Sequence, residues 1–190
     1  MLELLLQILL VSAKQVELPK IEPQPQEQNF AYIPQEDLIC PSDQDLYWVT
    51  AIIDGDTIIV TDDSKNSFQV RLLAVDTPEI NGPDSSAQFY AQEATLFTTE
   101  FLKNRIVRLR SDQANQDEDP YGRKLRYVDV LQADGTFQNL NEALLENGYA
   151  IFPTQFPITN PGYFTQLEQY ARQSELGIWS QNESFPPLKV

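Results

Sequence analysis

The segment from Val49 to Glu79 constrains this chain more than any other. VTAIIDGDTIIV runs into a short polar turn and then into FQVRLLAVDTPE. β-Branched and apolar residues dominate both halves, which is the composition of strands. The connection Asp62-Asp63-Ser64-Lys65-Asn66 has turn chemistry. Leu46 to Ile53, Thr57 to Thr61 and Ser67 to Val75 are therefore predicted as a three-stranded meander. Acidic residues fall where strands end: Asp54 and Asp56 flank Gly55, and Asp76 and Glu79 follow RLLAV. Residues two apart in an extended segment face one side, so the Asp54 and Asp56 carboxylates can share a cavity, with Gly55 allowing a bend between them. The same residues also describe an ordinary Asp-Gly turn.

Beyond the meander, apolar residues recur at helical spacing from Ser86 to Asn104. Arg105 to Arg110 alternates as a strand, and Lys124 to Leu131 is another, followed by an Asp134-Gly135 turn. Asn139 to Asn147 reads as a short helix stopped by Gly148. Pro161 to Leu176 reads as a final helix ended by Gly177, with Trp179 packing the end down. Five strands with a helix after the third is the layout of the five-stranded Greek-key barrel, the OB-fold. The predicted fold is thus α+β, mainly β, with about three helices. It is expected to occupy residues 45–180, with 181–190 as a tail. Residues 14–44 are rich in Pro and Gln and read as a linker, with Cys40 near its end as a semi-buried thiol. Residues 1–13, MLELLLQILLVSA, are too short for a comfortable membrane span. They read as an apolar signal or anchor segment, or else as an amphipathic helix on the protein itself.

Absences narrow the chemistry. The 190 residues contain no histidine and one cysteine. That removes Ser-His-Asp and Cys-His nucleophile systems, histidine metal sites, an internal disulfide and multi-cysteine zinc sites. No Gly-rich phosphate loop or dinucleotide fingerprint is present. Catalysis must rest on carboxylates, arginines, hydroxyls or a hard metal ion. The net charge of −15 argues against broad adhesion to nucleic acid, which needs basic surface, but a cation and a few arginines can reverse the sign locally.

The residues that carry such chemistry cluster in two stretches. Carboxylates at a strand mouth, beside carbonyls freed from the ladder, suit a hard cation such as calcium; a solvated strand end is the alternative. Arg71 begins RLLAV and wants anionic partners, either phosphate or, as a structural salt bridge, Asp54 or Asp56. Arg123 follows Tyr121-Gly122 in a turn where a guanidinium can project, toward phosphate or only toward solvent. Forked arginine contacts match phosphate geometry. Two carboxylates for a cation, a third for water and two guanidinium groups can together hydrolyse a phosphodiester.

In order along the chain, IDGDT, RLLAVDTPE, DPYGR, NEAL followed by a glycine, and LGIWS resemble the staphylococcal nuclease (thermonuclease) family. The resemblance covers about residues 46 to 180. It implies an OB-fold barrel with three helices and calcium-dependent endonucleolytic cleavage of DNA and RNA that leaves 3′-phosphate ends. Carried over by position, it implies Asp56 and Asp76 as calcium carboxylates, with the Thr77 carbonyl as a further ligand. Glu79 becomes the general base or the group that orders the attacking water. Arg71 and Arg123 bind phosphate and stabilise the transition state, and Asp54 stands behind the ligands. Tyr121 lies against the substrate. Thr154 and Phe156 stand where the family has a tyrosine pair walling the nucleotide pocket, with Phe152 close by, and Pro120 replaces a lysine. The family's secreted archetype is strongly basic, whereas this chain is acidic.

The alternative is a non-catalytic OB-fold module that binds nucleic acid or a protein. Its footprint would be a basic groove with stacking aromatics, for which Lys103, Arg105, Arg108 and Arg110 are the candidate strip. The expected partner is DNA or RNA, with no obligate protein partner, in a monomer that is secreted or held at the cell envelope through the N-terminal segment.

Overall fold

The computed structural model describes residues 46–81, 86–103 and 105–180. The signal or anchor segment, the linker with Cys40, and the tail lie outside the described residues. Strands β1 (Leu46–Ile52), β2 (Thr57–Thr61) and β3 (Ser67–Leu72) form the antiparallel meander. Strand β4 (Ile106–Arg110) pairs antiparallel with β1, and β5 (Lys124–Leu131) pairs antiparallel with β4. A parallel pairing of β5 with β3, Val70 opposite Lys124 through Leu72 opposite Arg126, closes the five strands into a barrel. This is the predicted OB-fold. A register shift between Val49 and Ala51 in β1 is a bulge, the usual device for curling a strand around a small barrel.

Alternation explains which side chains fill the barrel. Ile58, Val60, Val70, Leu72, Val107, Val128 and Val130 are almost wholly buried, while Ser67 and Gln69 face out. Tyr127 to Val130 is buried on both faces, because two helices cover the outside of β5. These are α2 (Leu140–Glu146) and α3 (Pro161–Gln173). Tyr127 stacks on Phe164 of α3 with ring centroids 5.6 Å apart. Helix α1 (Ala91–Leu102) follows β3 and buries Ala91, Ala94, Thr98 and Leu102.

Several details differ from expectation, among them the last helix, which ends at Gln173 rather than Leu176. β3 stops at Leu72 rather than Val75, for a reason that belongs to the site. α1 begins at Ala91 rather than near Ser86, since Tyr90 is left-handed with φ 69°. A short strand β6 (Phe137–Asn139) pairs antiparallel with β5 before Asn139 caps α2 by accepting from the Glu142 amide at 2.9 Å. At the far end Ile178, not Trp179, is the buried anchor; Trp179 is half-buried under the Arg172 guanidinium, 3.7 Å from its ring centroid.

Gly148 stops α2 as expected, with φ +71°, but it also meets a second glycine. The Ile178 amide donates to the Gly148 carbonyl at 2.8 Å. A Cβ on Gly148 would lie 2.3 Å from the Leu176 oxygen, and one on Gly177 2.1 Å from the Gly148 oxygen. The two backbones touch only because neither residue has a side chain.

Candidate active site

The site is assembled where β1 turns into β2 and β3 leaves the sheet. In the first turn the Asp54 carboxylate accepts from the Asp56 amide at 3.1 Å, a local Asx-type closure. Gly55 sits in the expected bend without a positive φ, and its missing side chain also makes space. A Cβ there would lie 2.8 Å from the Thr77 side chain. The Gly55 carbonyl accepts from the Thr98 hydroxyl of α1 at 2.6 Å, so the helix pins the turn. The adjacent Asp56 is only 2% exposed. Its Oδ2 accepts from the Thr77 amide at 2.8 Å and from the Thr77 hydroxyl at 3.1 Å. Thr77 thus draws the acidic turn onto the second acidic segment.

That second segment arises from an interrupted strand. After Leu72 the chain turns through Ala74, which is left-handed with φ 61°. For an L-residue with a side chain this costs about 1–2 kcal/mol, and strain of this kind persists only where the surroundings enforce it. Arg71 supplies the enforcement. Its Nη1 donates to the Leu72 carbonyl at 3.0 Å and the Val75 carbonyl at 2.8 Å. Its Nη2 donates to Asp76 Oδ1 at 2.7 Å, and Nη1 lies 3.1 Å from Asp56 Oδ2. From the other side, the Asn141 amide of α2 donates to the Leu73 carbonyl at 2.7 Å. A two-way backbone pairing of Asp76 with Ile151, 2.9 Å each way, fixes the end of the turn.

The apolar segment therefore ends as a buried turn, and its carbonyls are satisfied by a guanidinium and a carboxamide. Asp76 and then Glu79 emerge at a cleft of about 310 Å³. Arg71, Asp76, Glu79, Arg123 and Phe156 line it together, with Asp119, Asn115, Gln116 and Gln155 on its other walls. Asp56 and Thr77 lie behind this wall, joined to it through Arg71 and the Thr77–Asp56 bonds. Tyr121 is not among the lining residues. It is 85% exposed, with its ring centroid 5.5 Å from the Arg123 guanidinium carbon. Arg123 is held by Asp119, Nε to Oδ2 at 2.7 Å, and its Nη1 reaches the Thr57 hydroxyl at 3.5 Å.

The electrostatics are those of crowded acids. Burial first, and the neighbouring Asp56 second, push the Asp54 carboxyl up to about 6. Burial raises Asp76 against the opposing pull of Arg71. Glu79 is raised by burial and then by Asp56, Asp54 and Asp76. Three carboxylates, Asp56, Asp76 and Glu79, thus interact with one guanidinium, that of Arg71. Among the described residues no three acidic groups form a preformed metal cluster; Arg71 occupies the position between Asp56 and Asp76. The donor set is nevertheless all oxygen, in excess of positive charge, and fits a hard cation in its chemistry.

Several residues that shape this region were not singled out from the sequence. Asn141 is wholly buried and binds Leu73, Arg126 and Val128 backbone groups at 2.7, 3.3 and 2.9 Å. Asp112 ties the loop after β4 to Thr159 and Tyr127. Asp129 is 3% exposed and accepts from Arg108 and Arg110. Half of the expected basic strip is therefore tied to one buried carboxylate, which offsets one of its two charges. Lys103 pairs with Glu100, and Lys124 and Arg126 pair with Asp117. Among the described residues only Lys65 and Arg105 have no acidic partner within ion-pair distance. The sequence signal that could have flagged Asp129 is an acidic residue at an apolar strand position between Val128 and Val130.

A closed five-stranded barrel with a cleft lined by carboxylates and arginines, and the buried Asp56 behind it, defines an OB-fold protein with a charged cleft at the end of its meander. Comparison with known proteins narrows this. Residues 69–181 match the family model described as staphylococcal nuclease homologue. The chain is 37% identical over 142 residues to the thermonuclease of Staphylococcus hyicus, covering 73% of this chain and 78% of that one. It is 38% identical over 136 residues to the thermonuclease of Staphylococcus intermedius, covering 70% and 75%. It is 37% identical over 133 residues to endonuclease YncB of Bacillus subtilis, covering 68% and 59%. The chain belongs to the staphylococcal nuclease homologue family, and so stands among nucleases acting on nucleic acid.

Proposed function

We propose that this protein is a calcium-dependent endonuclease that hydrolyses the phosphodiester bonds of DNA or RNA and leaves 3′-phosphate ends. The observation that carries this is the convergence of Arg71, Asp76, Glu79 and Arg123 on one cleft, with Asp56 behind it. Asp56 and Asp76, with the Thr77 carbonyl, would hold the cation. When bound, calcium neutralises the acidic cluster and polarises a phosphoryl oxygen. Glu79, its carboxyl raised by burial and by three neighbouring aspartates, orients a water and takes its proton. The water oxygen bonds to phosphorus in line with the 5′-oxygen. The bond from phosphorus to that oxygen breaks, the oxygen takes a proton from solvent as it leaves, and the phosphate stays on the 3′-oxygen. Arg123 and Arg71 carry the charge that builds on the equatorial oxygens, a preorganised electrostatic contribution. Phe156 on the cleft wall offers a face for a base, and exposed Tyr121 offers a contact at the rim.

A non-catalytic binding module is less well supported. Three of the four residues of its basic strip, Lys103, Arg108 and Arg110, are engaged in internal ion pairs with Glu100 and Asp129. The family match to residues 69–181 favours a nuclease domain spanning about residues 45–180. Among the described residues no helix is long and apolar enough to cross a membrane. The apolar run at residues 1–13 supports export or a tether at the cell envelope, and we read the protein as a monomer. The test is incubation of the purified protein with single-stranded DNA and with RNA, in calcium and in chelator. Cleavage in calcium that stops in chelator supports the proposal; no cleavage of either strand type in calcium refutes it.

A further inference from the structure

We infer that Asp119 is a positioning residue, which aims the Arg123 guanidinium into the cleft and leaves its terminal nitrogens free for a phosphate. The inference rests on the nuclease reading above and adds a residue to it. The Asp119 side chain is 11% exposed and engages both of its oxygens. Oδ1 accepts from the Tyr121 and Arg123 amides, each at 2.9 Å. Oδ2 accepts from Arg123 Nε at 2.7 Å. The backbone closes the same loop. The Asp119 amide donates to the Arg123 carbonyl and the Gly122 amide to the Asp119 carbonyl, both at 3.0 Å. Gly122, with φ +79°, makes the turn possible. One carboxylate therefore fixes both the backbone of this loop and the root of the guanidinium it presents.

The two arginines of the cleft consequently differ. Arg71 spends Nη1 on two carbonyls and Nη2 on Asp76. Arg123 is gripped at Nε, and its Nη1 has only the 3.5 Å contact with the Thr57 hydroxyl. That hydroxyl donates to Asp56 Oδ1 at 3.2 Å, so the tip of Arg123 points toward the acidic site. A guanidinium held from behind by a carboxylate keeps its two Nη groups as an end-on fork for two phosphate oxygens. Hydrogen bonds from the Arg123 backbone and guanidinium outweigh burial and hold Asp119 below the usual carboxylate range, so its negative charge persists at neutral pH.

A double-mutant cycle on the full chain separates aiming from simple loop support. Asp119→Asn keeps an oxygen for the two turn amides but loses the charged acceptor for Nε. Single-turnover cleavage of labelled single-stranded DNA in saturating calcium should slow at least about tenfold in the wild-type background. In the Arg123→Ala background the same substitution should change the rate by less than about twofold, because its target is gone. An equal factor in both backgrounds, or no loss in the wild-type background, overturns the inference. If Asp119→Asn does not fold, Asp119→Ser retains a turn-capping oxygen and runs through the same cycle with the same criteria. A wild-type protein that cleaves nothing refutes the nuclease reading itself; a wild type that cleaves with an additive cycle refutes only the role of Asp119.

Discussion

Asp54 offers a clean perturbation of the acidic cluster. Asp54→Asn keeps the oxygen that accepts the Asp56 amide at 3.1 Å and removes one charge. In the folded protein burial, and then Asp56, lift this carboxyl from 3.8 to about 6. Between those two values the folded protein still binds the proton and the unfolded chain has released it. The stability contributed by Asp54 therefore falls as pH rises through the window, and the loss is complete above about pH 6. A difference of about two units corresponds to roughly 3 kcal/mol, and partial exposure to water reduces this to about 2 kcal/mol. In chelator, Asp54→Asn should be about 2 kcal/mol more stable than wild type above pH 7, with the advantage shrinking toward pH 4. Urea denaturation from pH 4.5 to 8 measures it. An advantage that does not vary with pH, or a loss of stability at pH 8, would refute the assignment of the raised carboxyl to Asp54. In calcium the sign should invert, since the variant attracts the cation less and gains less from binding it.

Other perturbations reach different parts of the account. Arg71→Lys and Arg123→Lys should each lower turnover at least about tenfold, because lysine keeps the charge and loses the fork; unchanged turnover in either would remove that arginine from the mechanism. Arg71→Ala should also lower stability in chelator by about 3–5 kcal/mol, the scale for leaving a buried charge unpaired, since Asp56 is 2% exposed; an unchanged urea midpoint would show that the guanidinium supports nothing. Gly148→Ala combines a left-handed backbone with a clash at 2.3 Å and should lower stability by about 3 kcal/mol, read as a fall in the urea midpoint. A chain lacking residues 1–43 should bind DNA with a shallow dependence on salt, since few cations are left to release counterions; a steep slope would reveal a basic track among these residues.

How much of this was legible in the sequence follows from which interactions are local. Alternating β-branched and apolar residues placed β2, β4 and β5 within a residue, because the positions that point into the barrel repeat every second residue in each strand. LLAV did not declare its end: three consecutive buried residues, Leu73, Ala74 and Val75, look alike in a strand and in a buried turn. The turn is dictated by Arg71 and Asn141, one near and one distant in sequence. Ala87 and Tyr90 match helical spacing but precede the helix, because Tyr90 is left-handed. β6 is three residues, FQN, with no apolar run to announce it. Within the candidate site, the charged residues were readable from their motifs, whereas their support was not. Thr98, Asn141 and Asp119 act through side-chain-to-backbone bonds that no periodicity encodes. Arg108 and Arg110 looked like a binding strip because their shared partner, Asp129, comes from the neighbouring strand.

The central claim is that Glu79 in this cleft drives metal-dependent hydrolysis of a phosphodiester. Single-turnover cleavage of end-labelled single-stranded DNA tests it most directly, with wild type and Glu79→Gln compared in calcium and in chelator. The wild type should produce 3′-phosphate ends in calcium and none in chelator, and Glu79→Gln should be slower by about 10²–10⁴-fold, the usual reach of a positioned acid–base group. A wild-type rate that survives chelation, or a Glu79→Gln rate equal to wild type, would contradict the account.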